Sequence, residues 1–272
     1  MKQTGRPDPV YVRARRALLD ALEALGPHRR AMILVGAQAV YLHVGEAQDT
    51  LSSFTIDADL ALNPAELPDT PAIETALGEA GFRRKEQPGL WFTPDDVEVD
   101  LLVPASLAGP GRRGVDLGPF HGRMAAMRAA GLEAALADNA PQPIASLDPN
   151  DNRAFVIAIA GPGALLVAKL HKIGERLQQT PDRLKNKDAS DLFLLLRATQ
   201  TAALAATIER LRRTPATAPT VEMSLRYLRE LFTSEAGMGI GLLRAAVSGI
   251  EDEETVAQSC IALADDLLAA LG

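Results

Sequence analysis

Apolar positions follow a helical spacing near the start of the chain and then give way to short apolar runs. Residues 8–25 carry leucines on one helical face, which predicts an amphipathic helix. The run at 31–35 predicts a central strand, and 36–42 predicts a helix that follows it directly. Residues 54–62, FTIDADLAL, contain six apolar residues in nine and predict a second strand.

The pattern changes at about residue 160. Before that point, further elements are predicted, namely a helix at 71–82, a hairpin of 90–93 and 97–104, a helix at 123–136, and strands at 143–147 and 153–160. After it the apolar spacing is helical only, with helices predicted at 164–178, 188–200, 202–213, 222–232 and 254–271. The order predicts an α/β or α+β domain with a helical appendage, divided as 1–160 and 161–272.

Composition and charge narrow the class of protein. The chain of 272 residues has room for one or two domains, and no apolar run approaches the roughly 18 residues of a membrane span. A basic N-terminus without an apolar stretch and a single cysteine, Cys260, predict a cytoplasmic protein with no membrane partner. The net charge of −7 argues against nucleic acid, but residues 169–213 hold ten Lys/Arg against five Asp/Glu and could form one basic face.

The strand at 54–62 raises a question about its acids. Alternate side chains of a strand share a face, so Thr55, Asp57 and Asp59 project to one side. Glu98 and Asp100 share a face of another predicted strand in the same way. If the strands are neighbours, three carboxylates converge; they must then be solvated, paired or held by a cation, and oxygen ligands suit Mg²⁺.

Two further features point to phosphate chemistry. Gly36 and Ala37 stand at the predicted strand-to-helix junction, where small residues let a ligand approach the positive end of a helix dipole. A tight turn uses the same residues. Lys169, Lys172 and Arg176 fall at i, i+3 and i+7 and form a cationic helix face that could meet a triphosphate. An ordinary solvated helix face is the alternative.

These features together resemble a known superfamily. The Gly36-Ala37 turn, the Thr55-x-Asp57-x-Asp59 strand and a third acid, Asp100, resemble the nucleotidyltransferase superfamily. The Lys169 helix followed by Lys187-Asp188-x-x-Asp191 is similar to the AbiEii-type nucleotidyltransferase toxins, the group that includes the mycobacterial MenT toxins. The resemblance runs from about residue 30 to about residue 200. It implies an α+β fold, with a mixed sheet flanked by helices and then a helical domain.

The resemblance also implies an activity. The protein would be a Mg²⁺-dependent nucleotidyltransferase, moving a nucleotide from a nucleoside triphosphate to an RNA 3′ end, with tRNA as the expected RNA, as a toxin with a cognate antitoxin. The implied metal ligands and catalytic residues are Asp57, Asp59 and Asp100, with Lys169 also catalytic. The implied nucleotide-binding residues are Gly36, Ala37, Thr55, Lys172 and Arg176. The residues implied to contact and support the site residues, rather than the substrate itself, are Lys187, Asp188 and Asp191.

Two positions depart from the family pattern. Members often have Gly-Gly or Gly-Ser where this chain has Gly36-Ala37, although alanine still leaves the backbone donors free. Members commonly carry an arginine two residues before the Thr or Ser of the strand motif, and this chain has Ser53 there. Two alternatives therefore remain beside the RNA-directed toxin. One is the same chemistry on a small molecule or a protein side chain, and the other is a non-catalytic relative that binds a nucleotide.

Overall fold

The computed structural model describes residues 8–45, 55–111 and 113–272. The chain forms two compact units. Unit 1 comprises Met1–Ala39, Phe54–Ala129 and Asn139–Ala160, and unit 2 comprises Val40–Ser53, Ala130–Asp138 and Gly161–Gly272. The predicted division at 160/161 was a single cut, whereas unit 2 also takes two earlier segments of the chain.

Unit 1 is built on one mixed sheet of eight described strands. The strands are β1 (Met32–Val35), β2 (Asp57–Leu62), β3 (Arg83–Arg84), β4 (Leu90–Phe92), β5 (Glu98–Pro104), β6 (Met127–Ala129), β7 (Asn139–Ala145) and β8 (Ala154–Ala160). Their order is β3-β4-β5-β2-β1-β8-β7, and β6 pairs with the second half of β5. β2 is parallel to β5 and antiparallel to β1, while β1 is parallel to β8.

Three helices begin in unit 1. α1 (Pro9–Ala24) starts with Asp8, whose side chain accepts from the Val10 N–H and caps the helix. It packs against β2, β5 and β8 through its apolar face. α2 (Gly36–Val44) follows β1 without an intervening loop, and α3 (Ile73–Glu79) packs against α1.

Unit 2 is helical. Its helices are α4 (Pro162–Gln179), α5 (Asn186–Ala198), α6 (Thr201–Arg213), α7 (Ala218–Phe232), α8 (Met238–Val247) and α9 (Glu253–Ala270). α4 packs against α5 and α7, and α8 packs against α5 and α9. The predicted α+β class, a mixed sheet flanked by helices and followed by a helical region, is confirmed.

Some predicted elements were wrong. No α-helix forms over 123–136, where the chain has strand β6 and a 3-10 turn at Glu133–Leu136, because Gly131 adopts a φ of 83° and β6 pairs with β5. The strand predicted at 143–147 begins at Asn139 and tolerates Pro141 and Pro143 because it is the edge strand of the sheet. Helix α8 was missed, since Gly239 and Gly241 interrupt its apolar pattern.

A helix that crosses a lipid bilayer must be both long and apolar. No single helix of the described residues has both the length and the apolar character to cross one. By those two criteria alone the pair of α5 and α6 qualifies together, and it is bent by 111°.

Candidate active site

Four acids lie in register on two neighbouring parallel strands. Asp57 of β2 stands beside Glu98 of β5, and Asp59 stands beside Asp100. Partners in a parallel ladder point to the same face, so the four side chains share one face of the sheet. All four are partly exposed. We call this set (Asp57, Asp59, Glu98 and Asp100) the carboxylate row; the two acidic strands are neighbours, which was the condition for their carboxylates to converge.

The opposite face explains why these strands tolerate so many acids. Ala58 and Leu60 alternate with the aspartates of β2, and Val99 and Leu101 alternate with the acids of β5. All four apolar side chains are fully buried. The apolar face therefore holds both strands in the core and fixes their register, because a slip by one residue would bury the acids.

The turn from β1 into α2 meets the carboxylate row at Asp59. Val35, the last residue of β1, pairs with Asp59, and Gly36 follows with a φ of 69°, a backbone conformation that favours glycine. A Cβ atom at Gly36 would overlap the carboxylate of Asp59 and lie 2.6 Å from its Cγ. Asp59 thus occupies the space that the missing side chain leaves at the start of the helix. Ala37, the next residue, is buried.

Thr55 lies just before β2. The predicted strand 54–62 is shorter in the structure, which starts β2 at Asp57. The buried Thr55 Oγ1 donates a hydrogen bond to Asp57 Oδ1 and so orients that carboxylate. Ser53, the position where the family commonly has arginine, lies outside the described residues.

The carboxylate row offers oxygen ligands for a metal ion. Its donors are oxygen atoms only, the type that Mg²⁺ prefers. Within the described residues, however, no group of three or more His, Cys, Asp or Glu side chains is already gathered to hold a metal ion. The strands therefore supply the ligand type and the register, and the side chains would have to turn toward a common ion.

A second group of charges lies in unit 2, between α4 and α5. We call it the helix ion cluster, and it consists of Lys169, Lys172, Arg176, Asp188 and Asp191. Lys169 Nζ donates to Asp188 Oδ1 at 2.9 Å and to Asp191 Oδ2 at 2.6 Å. The same Asp188 carboxylate accepts from Arg176 Nη1 at 3.1 Å and lies 3.3 Å from Lys172 Nζ.

Burial divides the helix ion cluster into a core and a rim. The side chains of Lys169, Asp188 and Asp191 are at most 5% exposed, whereas Lys172 is 35% and Arg176 24% exposed. Burial acts to lower the pKa of Lys169, but the charges of both aspartates outweigh it and raise the pKa. Burial likewise acts to raise the pKa of Asp188, but Lys169, Lys172 and Arg176 outweigh it and hold the pKa well below its usual range.

The contacts add detail to several predicted roles. Lys169 Nζ, predicted to contact the triphosphate, is bonded to two buried carboxylates. Asp188, implied to support the site, contacts Arg176 as well as Lys169. Lys187 has its ammonium 5.8 Å from the centre of the Tyr41 ring. The catalytic and nucleotide-binding roles of these residues stay predictions.

Two residues near the carboxylate row were missed in the sequence. Gln38 in the first turn of α2 and Arg15 of α1 are both almost fully buried and bonded to each other. A signal did exist, because Arg15 falls on the apolar stripe of α1, at i+4 from Tyr11 and three residues before Leu18. A charged residue inside such a stripe predicts a buried polar contact.

The fold and the carboxylate row together define a class of protein. An α+β domain that presents paired acids beside a glycine turn at a helix start is suited to a phosphorylated ligand. The sequence matches the family described as nucleotidyltransferase over residues 13–215, which is most of the chain and includes both groups of charges. The chain therefore belongs to the nucleotidyltransferase family, which implies a transferase that uses a nucleoside triphosphate. A search of curated proteins and a search of solved structures each found no match.

Proposed function

We propose that this protein is a Mg²⁺-dependent nucleotidyltransferase that moves a nucleotide from a nucleoside triphosphate to the 3′ hydroxyl of an RNA, specifically tRNA, as the toxin of a toxin–antitoxin pair. One observation carries the chemical part of the proposal: Asp59 stands in register with Asp100 while its carboxylate lies against the Gly36 turn. That placement brings acidic oxygens to a helix N-terminus, where phosphates bind.

The residues of the carboxylate row fit a magnesium ion in donor type and in register. Asp57, Asp59 and Asp100 would hold it, with the Asp59 carboxylate lying against the Gly36 turn. Bound Mg²⁺ would neutralise the acids and the β- and γ-phosphates, which otherwise repel each other.

The remaining steps belong to the chain's own groups. The backbone N–H groups at Gly36 and Ala37 would cradle the triphosphate at the start of α2, and Thr55 would keep Asp57 oriented. Asp100 would accept the proton of the acceptor hydroxyl. The hydroxyl oxygen would then bond to the α-phosphorus as the bond to the β-phosphate oxygen breaks and pyrophosphate leaves.

The resemblance also assigns cations of the helix ion cluster to the nucleotide. Lys172 and Arg176 are the more exposed cations of the helix ion cluster, and we assign them to the phosphates of the nucleotide together with Lys169. Arg183 and Lys185, in the loop between α4 and α5, are exposed and add to the local positive charge. A chain that is acidic overall would use such a segment for RNA.

The net charge of the chain supports the alternative acceptors, a small molecule or a protein. At −7, the chain as a whole repels a polyanion, which favours transfer to a small molecule or to a protein over transfer to RNA. A non-catalytic relative that binds nucleotide is the remaining alternative. The acceptor must therefore be decided by direct competition among substrates.

The test is a transfer assay with the full chain and each α-labelled nucleoside triphosphate. Four acceptors are offered, namely intact tRNA, tRNA with its 3′ diol destroyed by periodate, a hydroxyl-bearing antibiotic, and protein. We expect label on intact tRNA alone and none when the metal is chelated. Label on the antibiotic or on protein would identify that molecule as the acceptor instead of tRNA. Mg²⁺-dependent nucleotide binding without any transfer would contradict catalysis.

The toxin role needs a separate measurement. Expression of the wild-type chain from a tightly controlled promoter should arrest growth, and expression of Asp59→Ala should not. Equal growth of both cultures, at equal protein levels, would contradict the toxin assignment while leaving the transfer chemistry intact.

A further inference from the structure

A buried polar network lies beneath the first turn of α2. Gln38 is 1% exposed and Arg15 is 2% exposed, although both carry groups that are costly to bury without partners. Arg15 Nε donates to Gln38 Oε1 at 3.0 Å. Gln38 Nε2 donates to the Ala14 carbonyl at 3.1 Å and to the Asp57 carbonyl at 3.0 Å.

The chemistry of these partners fixes the orientation of the Gln38 amide. Two carbonyl oxygens can only accept, so they must face the NH₂ group, and a guanidinium can only donate, so it must face the oxygen. Both amide hydrogens and the amide oxygen therefore each have a partner. A network with all members satisfied is rigid and holds its elements in one arrangement.

Gln38 acts where the β1–β2 ladder stops. The last pair of that ladder is Val35 with Asp59, and α2 begins at the next residue. Beyond that pair, the Gln38 side chain continues the link by bonding the backbone of Asp57. It therefore ties the first residue of β2 to the helix turn that carries Gly36.

Arg15 holds Gln38 from the other side. Its Nη1 donates to the Ala145 carbonyl at 3.1 Å and its Nη2 donates to Tyr11 Oη at 2.7 Å. The guanidinium thus links α1, the end of β7 and α2 in a fixed fork. Because Arg15 is anchored at several points, Gln38 has little freedom to move away from Asp57.

We propose that Gln38, held by Arg15, is a positioning residue that fixes Asp57 relative to the Gly36 turn and thereby sets the geometry of metal and triphosphate binding. The inference rests on the proposed function, because it assigns Asp57 to the metal. Groups behind metal ligands typically change metal affinity or activity about 10- to 100-fold when they are replaced. A misplacement of about 1 Å at a reacting centre costs a similar factor.

Two substitutions separate positioning from packing. Gln38→Met keeps the volume and removes all three hydrogen bonds, while Gln38→Glu keeps an oxygen for Arg15 and removes both donors. Ser224→Ala in unit 2 is the matched control. Ser224 is also buried, and the substitution removes its 2.7 Å hydrogen bond to the Val221 carbonyl. All variants would be compared well below their midpoints of thermal unfolding.

The readouts are Mn²⁺ affinity, measured by electron paramagnetic resonance on the full chain, and kcat and KM for nucleotide transfer. We expect both Gln38 variants to bind Mn²⁺ about tenfold more weakly and to lose about 10- to 100-fold in kcat. Ser224→Ala should match the wild type in both. Should Gln38→Met fail to fold, Gln38→Glu, which has the same size, decides the question by itself.

The outcomes are distinct. Wild-type Mn²⁺ affinity and kcat in folded Gln38 variants would overturn the positioning role and leave the proposed function standing. Absence of both Mn²⁺ binding and transfer in the wild type would overturn the proposed function, and the role of Gln38 with it. A loss in Ser224→Ala equal to that of the Gln38 variants would show a general effect of stability and would also overturn the assignment.

Discussion

Two aspartate pairs of this protein occupy opposite environments. Asp57 and Asp59 lie on a strand of unit 1, partly exposed, beside two more acids in register. Asp188 and Asp191 lie on a helix of unit 2, almost fully buried, and both are bonded to Lys169. The same residue type at close spacing therefore forms a row of like charges in one unit and a compensated ion cluster in the other.

The difference shows how burial decides what a carboxylate can do. A buried acid must be neutralised by a fixed partner, and removal of that partner destabilises the fold. Partly exposed acids in a row can instead share a cation that a substrate brings. We therefore expect changes in the carboxylate row to affect activity, and changes in the buried core of the helix ion cluster to affect stability.

The largest expected effect is on catalysis. Asp59→Ala removes one proposed metal ligand, so nucleotide transfer should fall by about 10³-fold or more, because metal stabilisation of developing charge is worth several kcal/mol. The free energy of unfolding should change by less than about 1 kcal/mol, because the side chain is not in the core. Steady-state transfer rates and urea titrations measure the two quantities.

Asp266→Ala is the control for this prediction. Asp266 is exposed on α9, beyond the region that matches the family, so its loss should leave transfer unchanged. Transfer by Asp59→Ala at more than a tenth of the wild-type rate would remove the carboxylate row from the mechanism.

The next effect is on stability. Lys169→Met leaves Asp188 and Asp191 buried without the cation between them, and breaking a buried ion pair on one side costs about 3–5 kcal/mol. Lys185→Met, at an exposed site of the loop between α4 and α5, should cost less than about 0.5 kcal/mol. Urea unfolding followed by circular dichroism gives both values. Equal stability of the two variants would contradict a structural role for Lys169.

The comparison also shows which features a sequence can predict. The alternation of acids and apolar residues in β2 and β5 predicted their shared face, because strand geometry has a fixed period of two. The cationic face of α4 was predicted from helical spacing in the same way. Local periodicity carries this information without any knowledge of neighbours.

Contacts between residues that lie far apart in the sequence could not be predicted from local patterns. Which carboxylate Lys169 would contact depends on how α4 packs on α5, and the Gln38–Arg15 bond joins residues 23 positions apart. The wrong helix at 123–136 has the same origin, because pairing of β6 with β5 overrides the helical preference of its alanines. Tertiary context, rather than local preference, determines these contacts.

The pH dependence of stability is a smaller effect that tests the same contrast. The folded-state pKa of Asp188 lies below its unfolded value, so its contribution to stability is complete above about pH 4 and is lost as pH falls further. Between pH 7 and pH 3 the wild type should lose about 1–2 kcal/mol more than Asp188→Asn, which has no charge to titrate at this site. Urea titrations at each pH measure the difference, and parallel losses in both proteins would contradict it.

The smallest effect on stability separates the rim of the helix ion cluster from its core. Lys172→Gln removes a partly exposed cation 3.3 Å from Asp188, so the free energy of unfolding should change by less than about 1 kcal/mol. If Lys172 meets the triphosphate, the KM for the nucleotide should rise about tenfold, because a charge-assisted hydrogen bond to a phosphate is worth about 1.5–3 kcal/mol. Lys185→Gln, which removes an equal charge from a more exposed side chain in the loop after α4, should leave the KM for the nucleotide unchanged. A fall in stability with no change in KM would place Lys172 with the structural core of the cluster instead of with the substrate.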